Sequence, residues 1–423
     1  MSRFKQPVYL ASGLRTAFGR GGGALSQYDA IGLSVPVVKA MAAQLDNQRP
    51  DMVLWGTVIP SLGWSNIARE IWLDARLDAT VPAFSTVLAC ATSITEAFVA
   101  AGFLGEDVNV VMVGGAEVMS APSIGLTAAA NRKLLELFRT DPAGGLAALQ
   151  QLKPTDFNLP TKGWANRITG RTMGDHMEET VKHWGISREE QDRWALQSHQ
   201  RAAAGWSSGY FADLVIKLPE LEKDSNVRGD TSLEKLASLP PAFDKTSGHG
   251  TLTAGNSTPI TDGAAGLWVV TAEGRKRLPR IPSAELVDFE MAAVDHSVDG
   301  LLMAPSFAIP RLLDRHGLGF EDIALWEIHE AFAAQLLANV AALETPSWIA
   351  DRVKIKRDFG RFPWERVNPN GGSLAIGHPF AATGARDLSQ AVKELAALPK
   401  GSRAIVSVCA DGGSGSVALL QNS

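Results

Sequence analysis

Short apolar runs at residues 51–55, 108–113, 268–271, 323–328 and 404–408 are bounded by polar or glycine-containing segments, and their brevity predicts strands buried on both faces. Between them lie stretches with helical character, above all the alanine-rich segments 93–103 and 381–397. This alternation predicts an α/β protein whose parallel sheets are covered by helices on both sides. The two ends of the chain also resemble each other. Ala91-Thr92-Ser93-Ile94 opens one small-residue helix and Ala382-Thr383-Gly384-Ala385 opens another. Val111-Met112-Val113-Gly114-Gly115 is answered by Val406-Ser407-Val408-Cys409. An ordered repeat of helix, loop and strand implies an internal duplication. Residues 122–245 break the pattern with polar, proline- and glycine-containing stretches and a helix-like run at 187–204. They form an inserted lobe that covers a site where the halves meet. The chain therefore divides into 1–121, the lobe at 122–245, a return to the first half at 246–275, and a second half at 276–423.

Composition narrows the class. A chain of 423 residues, 45% hydrophobic, can bury a large core. Two cysteines cannot build a disulfide framework and suit a reducing compartment, so a cytoplasmic protein is expected. The start runs directly into strand-like Val8-Tyr9-Leu10, and Gln421-Asn422-Ser423 is no address tag. No apolar run approaches the roughly 20 residues that span a bilayer. A net charge of −5 without long single-sign blocks argues against a nucleic-acid surface but leaves room for a local basic patch. Eleven tryptophans include Trp164, Trp184, Trp194 and Trp206 in the lobe, where they narrow a pocket or fill the lobe's core.

Candidate chemistry lies where strand-like residues give way to helix formers. Cys90 follows Thr86-Val87-Leu88-Ala89 and precedes Ala91-Thr92-Ser93, so it sits at a helix start. There the aligned peptide dipoles favour thiolate and lower a thiol pKa from about 8.5. A cysteine in this position is either a nucleophile or a small buried hydrophobe. The segment 368–379, Asn-Pro-Asn-Gly-Gly-Ser-Leu-Ala-Ile-Gly-His-Pro, is too dense in glycine and asparagine for a regular element, which makes it a shaped loop. Its His378 is suited to serve as a general base, where an ordinary loop histidine would be solvated or capping. Cys409 closes the last apolar strand before Asp411-Gly412-Gly413-Ser414-Gly415, a position from which a second thiol could shuttle a proton. A metal pair with His378 is the competing reading, but no Cys-x-x-Cys or His-x-x-x-His spacing supports zinc. In Trp326-Glu327-Ile328-His329-Glu330-Ala331, His329 stands at a strand-to-helix junction, facing the cleft as a donor to a developing oxyanion or capping the helix.

Taken together, Cys90, Gly114-Gly115-Ala116-Glu117-Val118-Met119-Ser120, Thr253-Ala254-Gly255-Asn256, Asp262-Gly263-Ala264-Ala265, His329-Glu330-Ala331-Phe332, Gly377-His378-Pro379 and Cys409 resemble, in this order and across nearly the whole chain, the thiolase family. The resemblance implies a thiolase fold, a duplicated five-layer αβαβα core with an inserted loop domain. It also implies thiolysis of 3-ketoacyl-coenzyme A, or acetoacetyl-coenzyme A synthesis in reverse. Cys90 would carry the acyl group, His378 activate it and Cys409 move the substrate-side proton. His329, with His378 and a water, would form one oxyanion hole, and the amides of Cys90 and Asp411 the other. Family members commonly have glycine where this chain has Asp411, and a retained amide with an outward side chain is expected. His329, Ser257-Thr258-Pro259-Ile260-Thr261-Asp262, Phe380-Ala381-Ala382-Thr383 and Arg228-Gly229-Asp230-Thr231-Ser232-Leu233-Glu234 lean toward degradative thiolases related to the trifunctional fatty-acid oxidation complex. Thr258 would lie near the pantetheine arm and Met173 along the acyl pocket, while Arg167 and Arg171 are phosphate contacts or solvated surface arginines. The resemblance further implies coenzyme A and acyl-CoA as substrates, no tightly bound cofactor or metal, a homo-oligomer, and a hydratase/dehydrogenase partner subunit. Two rivals are an acyl-carrier-protein condensing enzyme, which typically pairs its cysteine with two histidines, and a coenzyme A-binding scaffold whose catalysis has decayed.

Overall fold

The computed structural model describes residues 3–45, 48–158 and 165–423; Trp164 lies outside them. Its strands are β1 (Val8–Ala11), β2 (Met52–Gly56), β3 (Ala83–Phe84), β4 (Val110–Glu117), β5 (Thr261–Thr271), β6 (Ser283–Ala293), β7 (Leu325–Ile328), β8 (Arg403–Ala410) and β9 (Ser414–Gln421). The helices that matter for the site are α1 (Ala30–Ala42), α2 (Ile67–Asp74), α3 (Thr92–Phe103), α4 (Met173–Trp184), α5 (Arg188–Ser207), α6 (Pro305–Arg315), α7 (Ala333–Leu343), α8 (Ser373–Ile376) and α9 (Thr383–Ala396). All five apolar runs are strands or parts of strands.

The duplication is legible in the pairing. In the first half β2 is parallel to β4, while β4–β5 and β5–β1 are antiparallel. The second half repeats this: β7 is parallel to β8, and β8–β9 and β9–β6 are antiparallel. An antiparallel β1–β6 contact joins the two into one order, β7-β8-β9-β6-β1-β5-β4-β2-β3. The sheet is thus mixed, not parallel as expected. Each half closes on an antiparallel return, which for β8–β9 is a tight turn with Gly412 at φ +84° and Gly413 at φ +72°, conformations that glycine adopts without strain. Strand β6 escapes the sequence pattern because its Glu285, Asp288 and Glu290 interrupt the apolar run. Asp288 is nonetheless buried, paired with Arg315 at 2.7 Å and His316 at 2.9 Å.

Helices α3 and α9 form the middle layer. Both are buried around most of their circumference, because α9 packs on strands of both halves and α3 reaches from β4 and β5 to β9. Helices α1 and α2 cover the outer face of the first half, and α6 that of the second. This gives the five layers helix, sheet, helix, sheet, helix. Within the intervening segment, α5 starts on Ser187, whose hydroxyl accepts from the Glu190 amide while Glu190 answers the Ser187 amide, a capping box. No helix among the described residues is long and apolar enough to cross a membrane.

A buried ion pair ties that segment to the first half. Arg15 grips Asp224 through Nη1–Oδ1 at 2.6 Å and Nη2–Oδ2 at 2.8 Å, with side-chain exposures of 4% and 0%. Asp224 also accepts from the Phe18 amide at 2.7 Å and Trp206 Nε1 at 3.0 Å. Removing the carboxylate leaves a buried guanidinium without its partner, which costs about 3–5 kcal/mol. Asp224→Ala is therefore expected to lower the unfolding midpoint sharply in a thermal melt; an unchanged midpoint would show that the pair contributes nothing.

Candidate active site

Cys90 occupies a sharp turn just ahead of α3. Ala89, before it, holds φ +44°, a left-handed conformation costly for a residue with a Cβ. Thr92 closes the turn, its hydroxyl accepting from the Leu88 amide at 2.9 Å and donating to the Ala89 carbonyl at 2.8 Å. Cys409 ends β8 opposite Gly415 and is fully buried. Both cysteines, His378, Met173, Thr258 and Asp411 line one cleft of about 340 Å³, whose other walls include Ile59, Phe243, Leu302, Phe332 and Phe380.

The loop that carries His378 is held from below. Asn368, at φ +45°, spans Ile328 with hydrogen bonds to its amide (2.8 Å) and carbonyl (2.9 Å) and donates to Glu330 at 2.7 Å. Gly377 has φ +113°, and a Cβ there would come within 2.7 Å of Thr261 and 2.8 Å of Asn226, so only glycine fits. The loop is less irregular than its composition implies, since Ser373–Ile376 makes one helical turn. His378 donates its amide to Thr261 Oγ1 (3.2 Å), its Nδ1 meets Thr383 Oγ1 at 2.6 Å, and its Nε2 is buried without a partner. Burial, then the nearby Arg386 guanidinium, pushes the His378 imidazole down to about 3, so it is neutral near pH 7.

His329 stands behind His378, with ring centroids 4.1 Å apart. It is fully buried and is not one of the residues lining the open cleft, contrary to the expectation that it faces it. Nor is it a helix cap, since α7 begins after Phe332 with no side-chain cap. Its Nδ1 meets Ser373 Oγ at 2.7 Å and its Nε2, like that of His378, has no partner. Burial, His378 and Arg386 hold its pKa well below the usual imidazole range.

The electrostatics of Cys90 reverse the expectation from its helix start. Burial first, then the Asp411 carboxylate, push its thiol up to about 12, against the opposing effect of the backbone amides of Asp411 and of Cys90 itself. The dipole of α3 is present but outweighed, because the sulfur lies at the foot of a cleft where a thiolate loses its hydration. The resting pair is thus thiol and neutral imidazole. Cys409 is likewise raised, by burial and then by Cys90. The amide of Asp411 acts to favour the thiolate, but its side chain does not turn outward. It lines the cleft, where Oδ1 accepts from Asn166 Nδ2 at 2.8 Å and from the Gly412 amide at 2.6 Å.

Thr258 donates both its amide and its hydroxyl to the Ala331 carbonyl, each at 3.1 Å, and borders this cleft and an adjoining one of about 720 Å³. The second cleft carries Arg20, Arg228 and Thr231. Arg167 and Arg171 line neither; Arg171 is bound to Glu179 at 2.7 Å and to the Asp175 carbonyl at 2.9 Å. Among the described residues no group of three or more His, Cys, Asp or Glu side chains is placed to hold a metal ion.

Two buried carboxylates that sequence patterning passed over brace the site. Glu117 accepts from the amides of Val58 (3.0 Å), Ile59 (2.9 Å) and Ala381 (3.3 Å) and the Thr57 hydroxyl (2.9 Å). Glu330 accepts from Trp194, Ser198, Asn368 and the Leu374 amide, fastening α5 to the histidine loop. For Glu117 the available signal was a lone acid after Val113-Gly114-Gly115-Ala116; Glu330, three residues after Glu327, had no such signal.

Known proteins share this arrangement. The family model "Thiolase, N-terminal domain" matches residues 8–273 and "Thiolase, C-terminal domain" matches 280–422. A 3-ketoacyl-CoA thiolase of Erwinia tasmaniensis is 37% identical over 100% of this chain and 98% of its own, and one of Yersinia enterocolitica is 36% identical over 98% and 96%. The crystal structure of the Bacillus anthracis acetyl-CoA acetyltransferase superposes with a TM-score of 0.80 at 29% identity, covering 100% of both chains. Human mitochondrial 3-ketoacyl-CoA thiolase in complex with CoA gives 0.80 at 27% identity over 99% of this chain and 98% of that one. With both family models matched, over residues 8–273 and 280–422, and relatives similar over the whole length, the chain belongs to the thiolase family.

Proposed function

We propose that the protein catalyses reversible thiolysis of 3-ketoacyl-coenzyme A to acetyl-coenzyme A and a shortened acyl-coenzyme A. The observation that carries this reading is the convergence of Cys90, Cys409 and His378 on one cleft above two buried, unpartnered imidazole nitrogens. In this scheme His378 Nε2 takes the Cys90 proton as sulfur attacks the 3-keto carbon. The resulting alkoxide lies between the amides of Cys90 and Asp411. Collapse breaks the bond between carbons 2 and 3, leaving the shortened acyl group on Cys90 and an acetyl-coenzyme A enolate, which Cys409 protonates. The now protonated His378, and His329 through a water, serve the enolate oxygen. Coenzyme A then gives its proton to the Cys409 thiolate and collects the acyl group, and His378 returns its proton to Cys90. The neutral resting pair fits this order, because the proton moves only when substrate is attacked.

The adjoining cleft supports a coenzyme A site, with Thr258 at the passage and Arg20 and Arg228 supplying cations for phosphate in place of Arg167 and Arg171. Met173 belongs to the acyl side. Degradative fatty-acid oxidation in the cytoplasm, a homo-oligomer, a hydratase/dehydrogenase partner and the absence of a resident cofactor complete the reading, with residues 122–245 as the lobe over the junction of 1–121 and 246–275 with 276–423. The carrier-protein and decayed-scaffold readings find no support in these similarities. The direct test is coenzyme A-dependent cleavage of acetoacetyl-coenzyme A and longer 3-ketoacyl homologues; no cleavage of any would refute the proposal. Arg228→Ala is expected to raise KM for coenzyme A roughly tenfold or more, the worth of a charge-assisted contact, with kcat little changed. An unchanged KM would place the phosphates elsewhere.

A further inference from the structure

Two imidazoles of the same charge state, packed ring against ring, are asked to do opposite things, and the hydroxyl behind each one differs in what it can offer. Thr383 Oγ1 donates its single hydrogen to the Pro379 carbonyl at 3.0 Å. Toward His378 Nδ1, 2.6 Å away, it can then only accept. His378 must therefore carry its proton on Nδ1, which leaves Nε2 with a bare lone pair. Behind His329 the polarity is reversed. Ser373 Oγ accepts from Arg386 Nη2 at 2.7 Å, and a guanidinium can only donate. The Ser373 hydrogen is left for His329 Nδ1, also at 2.7 Å, and no other acceptor for it is recorded among the described residues. His329 then carries its proton on Nε2. Both Nε2 atoms are buried and unpartnered, so nothing else in the protein sets their state.

We infer that Ser373, held by Arg386, and Thr383 are positioning residues that lock His329 and His378 in opposite tautomers, one presenting an N–H and the other a lone pair. The inference rests on the acyl-enzyme reading above and assigns the two nitrogens their separate tasks. The lone pair of His378 removes the Cys90 proton. The N–H of His329 is held for the enolate oxygen, reached through a water, and His378 becomes a second donor only after it has been protonated. Arg386 is itself buried and paired with Asp387 at 2.5 Å. It holds the serine in the accepting role, and its charge, near both rings, discourages either from becoming cationic before substrate is attacked. A wrong tautomer in a fixed geometry costs far more than its small structural change suggests.

The two locks fail differently, which makes them separable. Exchange of the acetyl group between acetyl-coenzyme A and isotopically labelled coenzyme A needs Cys90, its base and the amide pair, but no enolate. Thiolysis needs the enolate as well. Ser373→Ala is expected to lower thiolysis kcat roughly 10- to 100-fold, less than the roughly 10²- to 10³-fold for outright loss of an oxyanion donor because the imidazole itself remains, with KM and acetyl exchange within about twofold of the unaltered enzyme. Thr383→Val is expected to lower both activities roughly 100-fold, and Thr383→Ser to restore both. Retained exchange in Ser373→Ala itself reports an intact fold, and the serine rescue does the same for position 383. Equal loss of exchange and thiolysis in Ser373→Ala, or no loss of either, would overturn the inference. So would Thr383→Val with normal exchange. Absence of exchange in the unaltered enzyme would instead sink the acyl-enzyme reading, and this inference with it.

Discussion

Replacing Cys90 with alanine is expected to lower the thiolysis rate by about 10⁴-fold or more, the scale seen when the nucleophile of a covalent mechanism is removed. The size follows from the site's construction. Cys90 is the thiol at the start of α3 with a face open to the cleft, and the backbone amides of Cys90 and Asp411 both act to favour its thiolate. Cys409 lines the same cleft but from the end of β8 and not from the start of α3, so it is placed to move a proton and does not take over the attack. The substitution itself removes only a sulfur from a half-buried position, so the fold is retained and coenzyme A binding is expected to be unchanged. Steady-state rates with acetoacetyl-coenzyme A, alongside a thermal melt, check this. A residual rate above about one percent of the original, in a sample free of unaltered enzyme, would remove Cys90 from the mechanism.

Next in size is His378→Ala, expected to cost roughly 10²- to 10⁴-fold in kcat/KM, the range for a general base. Burial and Arg386 hold this imidazole down to about 3. A group with a lowered pKa stays in its neutral, proton-accepting form until pH falls close to that value. The unaltered enzyme should therefore show no acid limb from its base between about pH 8 and pH 5, whereas a solvated histidine would give a fall near 6.5. The raised Cys90 thiol gives no opposing requirement in this window, because its proton passes directly to His378 during attack. A kcat/KM profile that halves near pH 6.5, and loses that inflection in the variant, would contradict the neutral resting pair.

What the chain disclosed in advance, and what it did not, divides along physical lines. Strands β2, β4, β7 and β8 were readable from their short apolar runs, and helices α3 and α9 from the alanine and other small residues at their starts. Strand β6 was not, since charged residues whose partners come from distant segments look like solvated ones in a single sequence. Arg386 and Asp387 were missed for the same reason: helical patterning assigns such charges to a water-facing stripe, and here that stripe faces the two histidines. Cys90, His378 and Cys409, which the structure brings to one cleft, stood out as candidates through local signals, a helix start, a glycine-rich loop and a strand end. The pKa of Cys90 did not, because burial is a property of the assembled cleft and outweighs the local dipole. The same holds for Asp411, whose side chain is drawn along the cleft by Asn166, 245 positions away in the chain. His329 faces His378 and not open space for an equally nonlocal reason, the placing of Ser373 by the loop that Asn368 and Glu330 secure.

All of these features converge on the acyl-enzyme at Cys90. Incubating the protein with acetyl-coenzyme A alone, quenching in acid and analysing its peptides by mass spectrometry tests that intermediate without any assumption about the physiological acyl chain. An acetyl group on the peptide containing Cys90, absent from the one containing Cys409 and discharged by added coenzyme A, is the predicted result. An unmodified Cys90, or acetylation of Cys409 in its place, would contradict it.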